Sequence, residues 1–249
     1  MGRAYEVRKA SIQKTGAAKG KLYTTFAKEI YLAAHKGSSN PDANVVLKRL
    51  IDKAKKQQVP NDIINRAIDK AKGIGQEEYH EVMYEGFGPG AATLIIKCLT
   101  DNVNRTVGNV RAAFNKVNKS LGVTNSVLYN YDHLGILSFK YADEEKVFDT
   151  LLNAGIEIKD IENEDGEIIL SLNPGDINKV KDELEKIIPG IEYDLDEVGY
   201  YAKEKITLDG EEKEIFAKLY KMLDDIEDVS EIYTNVDMDW LWIKRKNGS

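Results

Sequence analysis

The sequence predicts an α+β protein: an N-terminal basic helical bundle, then two ferredoxin-like α+β domains, one inserted in the other. Three observations carry this expectation. Up to residue 72 apolar side chains recur at helical spacing. Beyond Gly73-Ile74-Gly75 short apolar runs alternate with helical ones. Residues 134–197 read β-α-β-β-α-β, the order of the ferredoxin-like split unit. The implied divisions are 1–75 for the helical domain and its arm, 76–133 plus 198–238 for a central domain, 134–197 for the insert and 239–249 for a tail.

Charge separates these parts. The 249 residues carry a net −7, yet residues 1–75 hold 16 Lys/Arg against 6 Asp/Glu, a net +10, and the remainder holds 19 against 36, a net −17. A split of this kind points to an anionic partner for the first part. No apolar run approaches the roughly 20 residues that span a bilayer, and the N-terminus lacks the apolar core of a secretory signal. The single cysteine, Cys98, cannot form an intramolecular disulfide, which fits a reducing, cytoplasmic setting.

Taken in order, residues 1–20 form a short basic arm with Arg3, Arg8, Lys9, Lys14 and Lys19. A helix from Lys21 to Lys36 places Leu22, Phe26, Ile30 and Ala33 on one face. Asn40-Pro41-Asp42 is a helix start, with a capping side chain, proline at the first helical position and an acid in the first turn. The helix it opens runs to about Gln57. Leu47, Leu50, Ile51 and Ala54 line its apolar face, and Arg49, Lys53 and Lys56 fall nearly opposite. A third helix ends at Lys72, before Gly73.

In the central domain, Val82–Tyr84 and Ala92–Leu99 read as strands, Asn104–Asn118 as a helix and Ser126–Tyr131 as a strand. The insert contributes strands at Gly135–Phe139, Ile156–Ile161, Glu167–Leu172 and Ile191–Leu195, with helices at Glu144–Asn153 and Asp176–Ile188. After it come a strand at Tyr200–Thr207, a helix at Glu211–Ile226 and a strand at Val229–Val236, so that the central domain repeats the general order of the insert.

The chemistry-bearing stretch is Tyr84 to Phe114. A Gly-rich turn, Gly86-Phe87-Gly88-Pro89-Gly90, precedes an apolar strand, and Asp101-Asn102-Val103-Asn104-Arg105-Thr106 opens a helix. Free backbone N–H groups and a guanidinium then share one edge, a seat for a phosphate or another anion, or equally an ordinary cap with a solvated arginine. The turn is followed by a strand rather than a helix and lacks a Gly-Lys-Ser/Thr ending, so it is neither a dinucleotide fingerprint nor a P-loop. His35, His80 and His133 have no metal-ligand spacing, and no cofactor or small-molecule substrate is suggested. Acidic pairs such as Asp224-Asp225 and Glu227-Asp228 read as a solvated, like-charged face, and no catalytic residues are assigned.

Tyr84-Glu85-Gly86-Phe87-Gly88-Pro89-Gly90, Asp101 to Val107, Gly122 and Ser126-Val127 resemble the YebC/PmpR family. The similarity extends upstream to Gly20-Lys21-Leu22-Tyr23 and Asn40-Pro41-Asp42-Ala43-Asn44, and downstream to Leu223–Val229 and Val236. Met1-Gly2-Arg3 and Gln58-Val59-Pro60 look like its YeeN branch, whereas Ala4-Tyr5 stands where the family usually has Lys-Trp.

The resemblance implies a cytoplasmic three-domain protein. Its family carries the label of transcriptional regulators that bind DNA and also includes ribosome-associated translation factors. The implied partners are therefore DNA, or ribosomal RNA and tRNA. On either reading Lys9, Lys14, Lys19, Lys21, Lys28, Arg49, Lys53 and Lys56 contact phosphates and Arg105 makes a more specific contact. Tyr84, Glu85, Gly86, Gly88, Pro89, Gly90, Asn102, Asn104 and Thr106 shape the motif.

Overall fold

A computed structural model describes residues 19–73 and 79–238. The basic arm and the tail from residue 239 therefore lie outside the described residues. The first helix, α1, spans Lys19–Lys36. The expected start at Asn40 becomes two steps. Asn40 caps a single 3-10 turn, Pro41–Ala43, through Asp42 N–H (3.1 Å), and Asn44 then caps α2, Val45–Lys56, through Leu47 N–H (3.0 Å). The Asn44 amide also donates to the carbonyls of Ala33 and Ser38, tying the start of α2 to the end of α1. Helix α3, Asn61–Lys72, completes the bundle around Phe26, Ile30, Leu47, Ile51, Ala54, Ile64 and Ala67.

The chain continues as β1 (His80–Phe87), β2 (Thr93–Thr100), α4 (Val103–Asn115) and β3 (Ser120–Leu121). Strand β4 (Tyr131–Lys140), α5 (Glu144–Asn153), β5 (Ile158–Glu164), β6 (Glu167–Leu172), α6 (Ile177–Ile187) and β7 (Leu195–Ala202) follow. The last elements are α7 (Gly210–Asp224) and β8 (Val229–Thr234). The α+β class agrees with expectation, and the strands form two four-stranded sheets.

Two compact units result. One combines the helical bundle and the described residues up to Val127 with Leu208–Ile232; the other holds Leu128–Thr207 and residues 233–238. In the first, the strand order is β3-β1-β2-β8. Strand β2 is buried on both faces, which explains its apolar residues at both parities, with only Lys97 interrupting them. On one face Leu99 meets Tyr31 and Leu32 of α1. On the opposite parity, Leu94 lies across from Gly86, which faces Phe114 of α4.

In the second unit β5-β6-β4-β7 is the ferredoxin-like order, antiparallel throughout. Leu137, Phe139, Ile168 and Leu170 of the sheet pack on Val147, Leu151, Val180 and Leu184 of the helices.

Two strand expectations are corrected. Ser126–Tyr131 is not a strand; a 3-10 turn at Leu128–Asn130 leads into β4, and the edge strand is Ser120–Leu121 instead. The cause is Glu85, whose carboxylate takes the N–H groups of Asn125 and Val127 at 2.6 Å each and removes them from any ladder. Asn125 also adopts φ +64°. The separate strands expected at Ile191–Leu195 and Tyr200–Thr207 are one, β7, paired with β4 from Tyr131↔Ala202 to Ser138↔Leu195. The sheet of the first unit consequently runs β-β-α-β-α-β along the chain, not in the order of the insert.

Candidate functional site

The Gly-rich motif is a tight hairpin with packing reasons for its composition. Gly88 N–H reaches Ala92 O at 2.8 Å and closes the turn. A side chain at Gly86 would overlap the ring of the fully buried Phe114. Gly90 has φ +57°, and a Cβ there would stand 2.7 Å from a Glu212 carboxylate oxygen. Glu85 and Pro89 are buried, and Tyr84 points its hydroxyl toward the Val103 carbonyl. These residues shape the hairpin through packing. Phe87 is exposed.

Beside this hairpin lies a connected polar cluster. Asn102 caps α4 by accepting from Arg105 N–H at 3.0 Å, and its own N–H donates to Thr100 Oγ1 at 2.9 Å. The edge that the sequence marked as an anion seat holds a carboxylate of the chain itself. Asp228, 5% exposed, accepts from Arg105 Nη2 at 2.9 Å and Nε at 3.3 Å, from Thr106 Oγ1 at 2.9 Å and from Lys28 Nζ at 3.2 Å. Thr106 continues to Thr100 Oγ1 at 2.8 Å, and Lys28 also donates to the Leu99 carbonyl at 3.2 Å. The Asp228 carbonyl belongs to the same seam, accepting from Leu99 N–H at 2.8 Å. A second aspartate repeats the theme: Lys21 donates to the Asp224 carbonyl and lies 3.2 Å from its carboxylate.

Burial pushes the Asp228 carboxyl up, but the hydrogen bonds from Arg105, Thr106 and Lys28 outweigh it and hold the group below its ordinary value. Those bonds raise Arg105 further, with Asp101 as its second carboxylate at 2.7 Å. Burial, then the Asp228 charge, push the Cys98 thiol up to about 12, so it is no thiolate at neutral pH. The acidic pairs are thus not uniformly solvated. Asp228 is a buried counter-ion, which no local signal in Glu227-Asp228 reveals, because its partners are more than 120 residues away.

The expected phosphate contacts separate into three groups. Lys9 and Lys14 lie outside the described residues, as does the side chain of Lys19, whose backbone begins α1. Lys21, Lys28 and Arg105 are engaged by Asp224 and Asp228, and the buried Lys28 has no surface to offer a phosphate. On α2, Arg49 is half-buried and Lys53 and Lys56 are exposed. Arg49 and Lys56 already interact with other residues of the chain, and Lys53 lies close enough to Glu29 to lower its pKa. Asn104 is exposed at the start of α4, and Thr106 is fully buried.

Two cations that the sequence reading left out occupy the outer face of the bundle: Lys48 and Lys55 on α2 flank a groove of about 460 Å³ between α2 and α3. Both are exposed, and neither forms a hydrogen bond or ion pair among the described residues. Their seven-residue separation on α2 was the available signal. On α3, by contrast, Arg66 pairs with Asp62 (3.1 Å) and Lys72 with Asp69 (2.8 Å).

Comparisons with known proteins follow this division. Residues 3–74 match the TACO1/YebC protein N-terminal domain, and residues 79–236 match the TACO1/YebC second and third domain. A protein of Marinobacter nauticus named "Probable transcriptional regulatory protein" is 43% identical over 238 residues, covering 96% of this chain and 99% of its own. Relatives of the same name from Hydrogenovibrio crunogenus (44%) and Vibrio cholerae (43%) align over 239 residues, 96% of this chain and all of theirs. The crystal structure of a conserved hypothetical protein from Aquifex aeolicus superposes with a TM-score of 0.72 at 29% identity, over 90% of this chain and 92% of that one. With matches spanning nearly its whole length, the chain belongs to the TACO1/YebC family.

Proposed function

We propose that this protein regulates gene expression by gripping a nucleic-acid backbone with the outer face of its helical bundle. The observation that carries this reading is the concentration of charge: a net +10 within residues 1–75, with Lys48 and Lys55 exposed on α2 and in no ion pair among the described residues. Such a face supplies the sequence-independent part of nucleic-acid affinity through counter-ion release. The acidic remainder, net −17, keeps the rest of the molecule off the backbone. The relatives' names support DNA and transcription as the setting. On that reading the purified protein binds its promoter at least ~10³-fold more tightly than scrambled duplex at physiological salt. Equal affinity for both would remove it.

A second reading, binding to ribosomal RNA or tRNA as a translation factor, is favoured by one observation. The exposed cations Arg66 and Lys72 of α3 are paired with acids of the same helix, which weakens α3 as a helix held in a major groove by its cations. Co-sedimentation with ribosomes, lost when Lys48 and Lys55 are both changed to Glu, would support it. Retention after that change would count against it.

A further inference from the structure

We infer that the groove between α2 and α3 is a seat for an unstacked base of a single-stranded nucleic acid. This rests on the nucleic-acid reading above and adds a site and a substrate form to it. Ile51, Ile64 and Ile68 form an apolar floor. The volume, about 460 Å³, is that of small-ligand clefts rather than of a flat phosphate-binding surface. Lys48 and Lys55 stand on one rim, about 10 Å apart along the helix axis by its rise per residue. That is a spacing at which the two ammonium groups bracket a base and hold the backbone on either side of it.

Asn61 and Asn65 line the groove from α3. Four residues apart, they share one helix face. Each amide offers two donors and an acceptor, the set that reads a base edge. Neither side chain is engaged by the described residues. Asp52 lies between the two lysines and also lines the groove. Its carboxylate keeps phosphates to the rim and can accept from an exocyclic amine. An apolar floor, cations only at the rim and unengaged amides within fit a base entering edge-on better than an intact duplex. Single strands present such bases, and duplexes do not.

The test uses the full chain and 12-mers of RNA and of DNA, each carrying one 2-aminopurine, beside the corresponding duplexes. The wild type should bind the single strands more tightly than the duplexes, and 2-aminopurine fluorescence should rise as the base leaves its stack. K48Q with K55Q should weaken single-strand binding about tenfold near 0.1 M salt and lower the salt slope by about 1.4, or 0.7 for each lost contact. N61L with N65L should leave that slope unchanged while reducing the preference among 12-mers of different base about tenfold. All four positions are exposed, so circular dichroism should show an unchanged fold. The RNA and DNA arms identify which sugar the groove accepts. Tighter binding to duplex, or groove variants that bind like wild type while wild-type binding remains salt-sensitive, would overturn the base seat and leave the nucleic-acid reading standing. Salt-insensitive or absent binding by the wild type would overturn both.

Discussion

The inner and outer faces of the helical bundle carry the same residue type in opposite circumstances. Lys28, on the inner face, is buried and bonded to Asp228 and to a β2 carbonyl, whereas Lys48 and Lys55, on the outer face, are exposed and in no ion pair among the described residues. A lysine count weighs them equally. The difference shows that part of a basic domain's charge can be structural, fastening helices to a sheet through a fixed carboxylate, while its nucleic-acid affinity resides in the cations left over. A buried carboxylate needs such donors, and removing it strands them.

The sharpest way to break this comparison is to delete the inner carboxylate. D228A leaves the buried Lys28 without its counter-ion and should cost about 3–5 kcal/mol in urea unfolding. A loss below about 1 kcal/mol would mean that the cluster is incidental. G86A forces a methyl group into Phe114 and should cost roughly 1–3 kcal/mol, the usual penalty of overpacking a filled core. Neither change touches the outer lysines, so nucleic-acid binding of the folded fraction should persist.

Two carboxylates at the inner face should respond oppositely to pH. Asp228 is held below its ordinary value, so its contribution is present at neutral pH and is lost as pH falls through and below the usual aspartate range. Glu29 on α1 is driven the other way. Burial and then the Glu231 charge, with a smaller push from Glu81, raise it from 4.5 to about 7 against the opposing pull of Lys97 and Lys53. Its stabilising protonated form is complete below pH 4.5 and is lost as pH rises through 7. E29Q should therefore raise Tm at pH 8 by about 2–4 °C, the shift that ~1 kcal/mol gives a chain of this size, and change little at pH 4.5. A Tm change of the same size at both pH values would contradict that placement.

Much of the fold was legible because its signals are local. Spacing placed the three bundle helices, and the insert's β-α-β-β-α-β order follows from alternating apolar runs. The errors arose where a distant side chain overrides propensity. Ser126–Tyr131 has strand composition, but Glu85, some 40 residues earlier in sequence, takes the N–H of Val127 and that of the preceding Asn125. Tyr200–Thr207 reads as separate because the polar residues Asp196 and Glu197, in the register of β4, do not have the composition of a strand interior. The site divides similarly. Hairpin glycines and the Asn102 cap are readable in place, whereas the sorting of lysines into inner and outer depends on Asp224 and Asp228, some 200 residues beyond α1.

The most direct test of this division is the salt dependence of nucleic-acid binding by two variants, K48Q/K55Q and K28Q, both measured where circular dichroism shows them folded. The outer pair should flatten the log–log salt slope by about 1.4 on single strands, and by about 1.8 on duplex, whereas K28Q should leave it at the wild-type value. A slope that flattens in K28Q and stays unchanged in K48Q/K55Q would contradict the account.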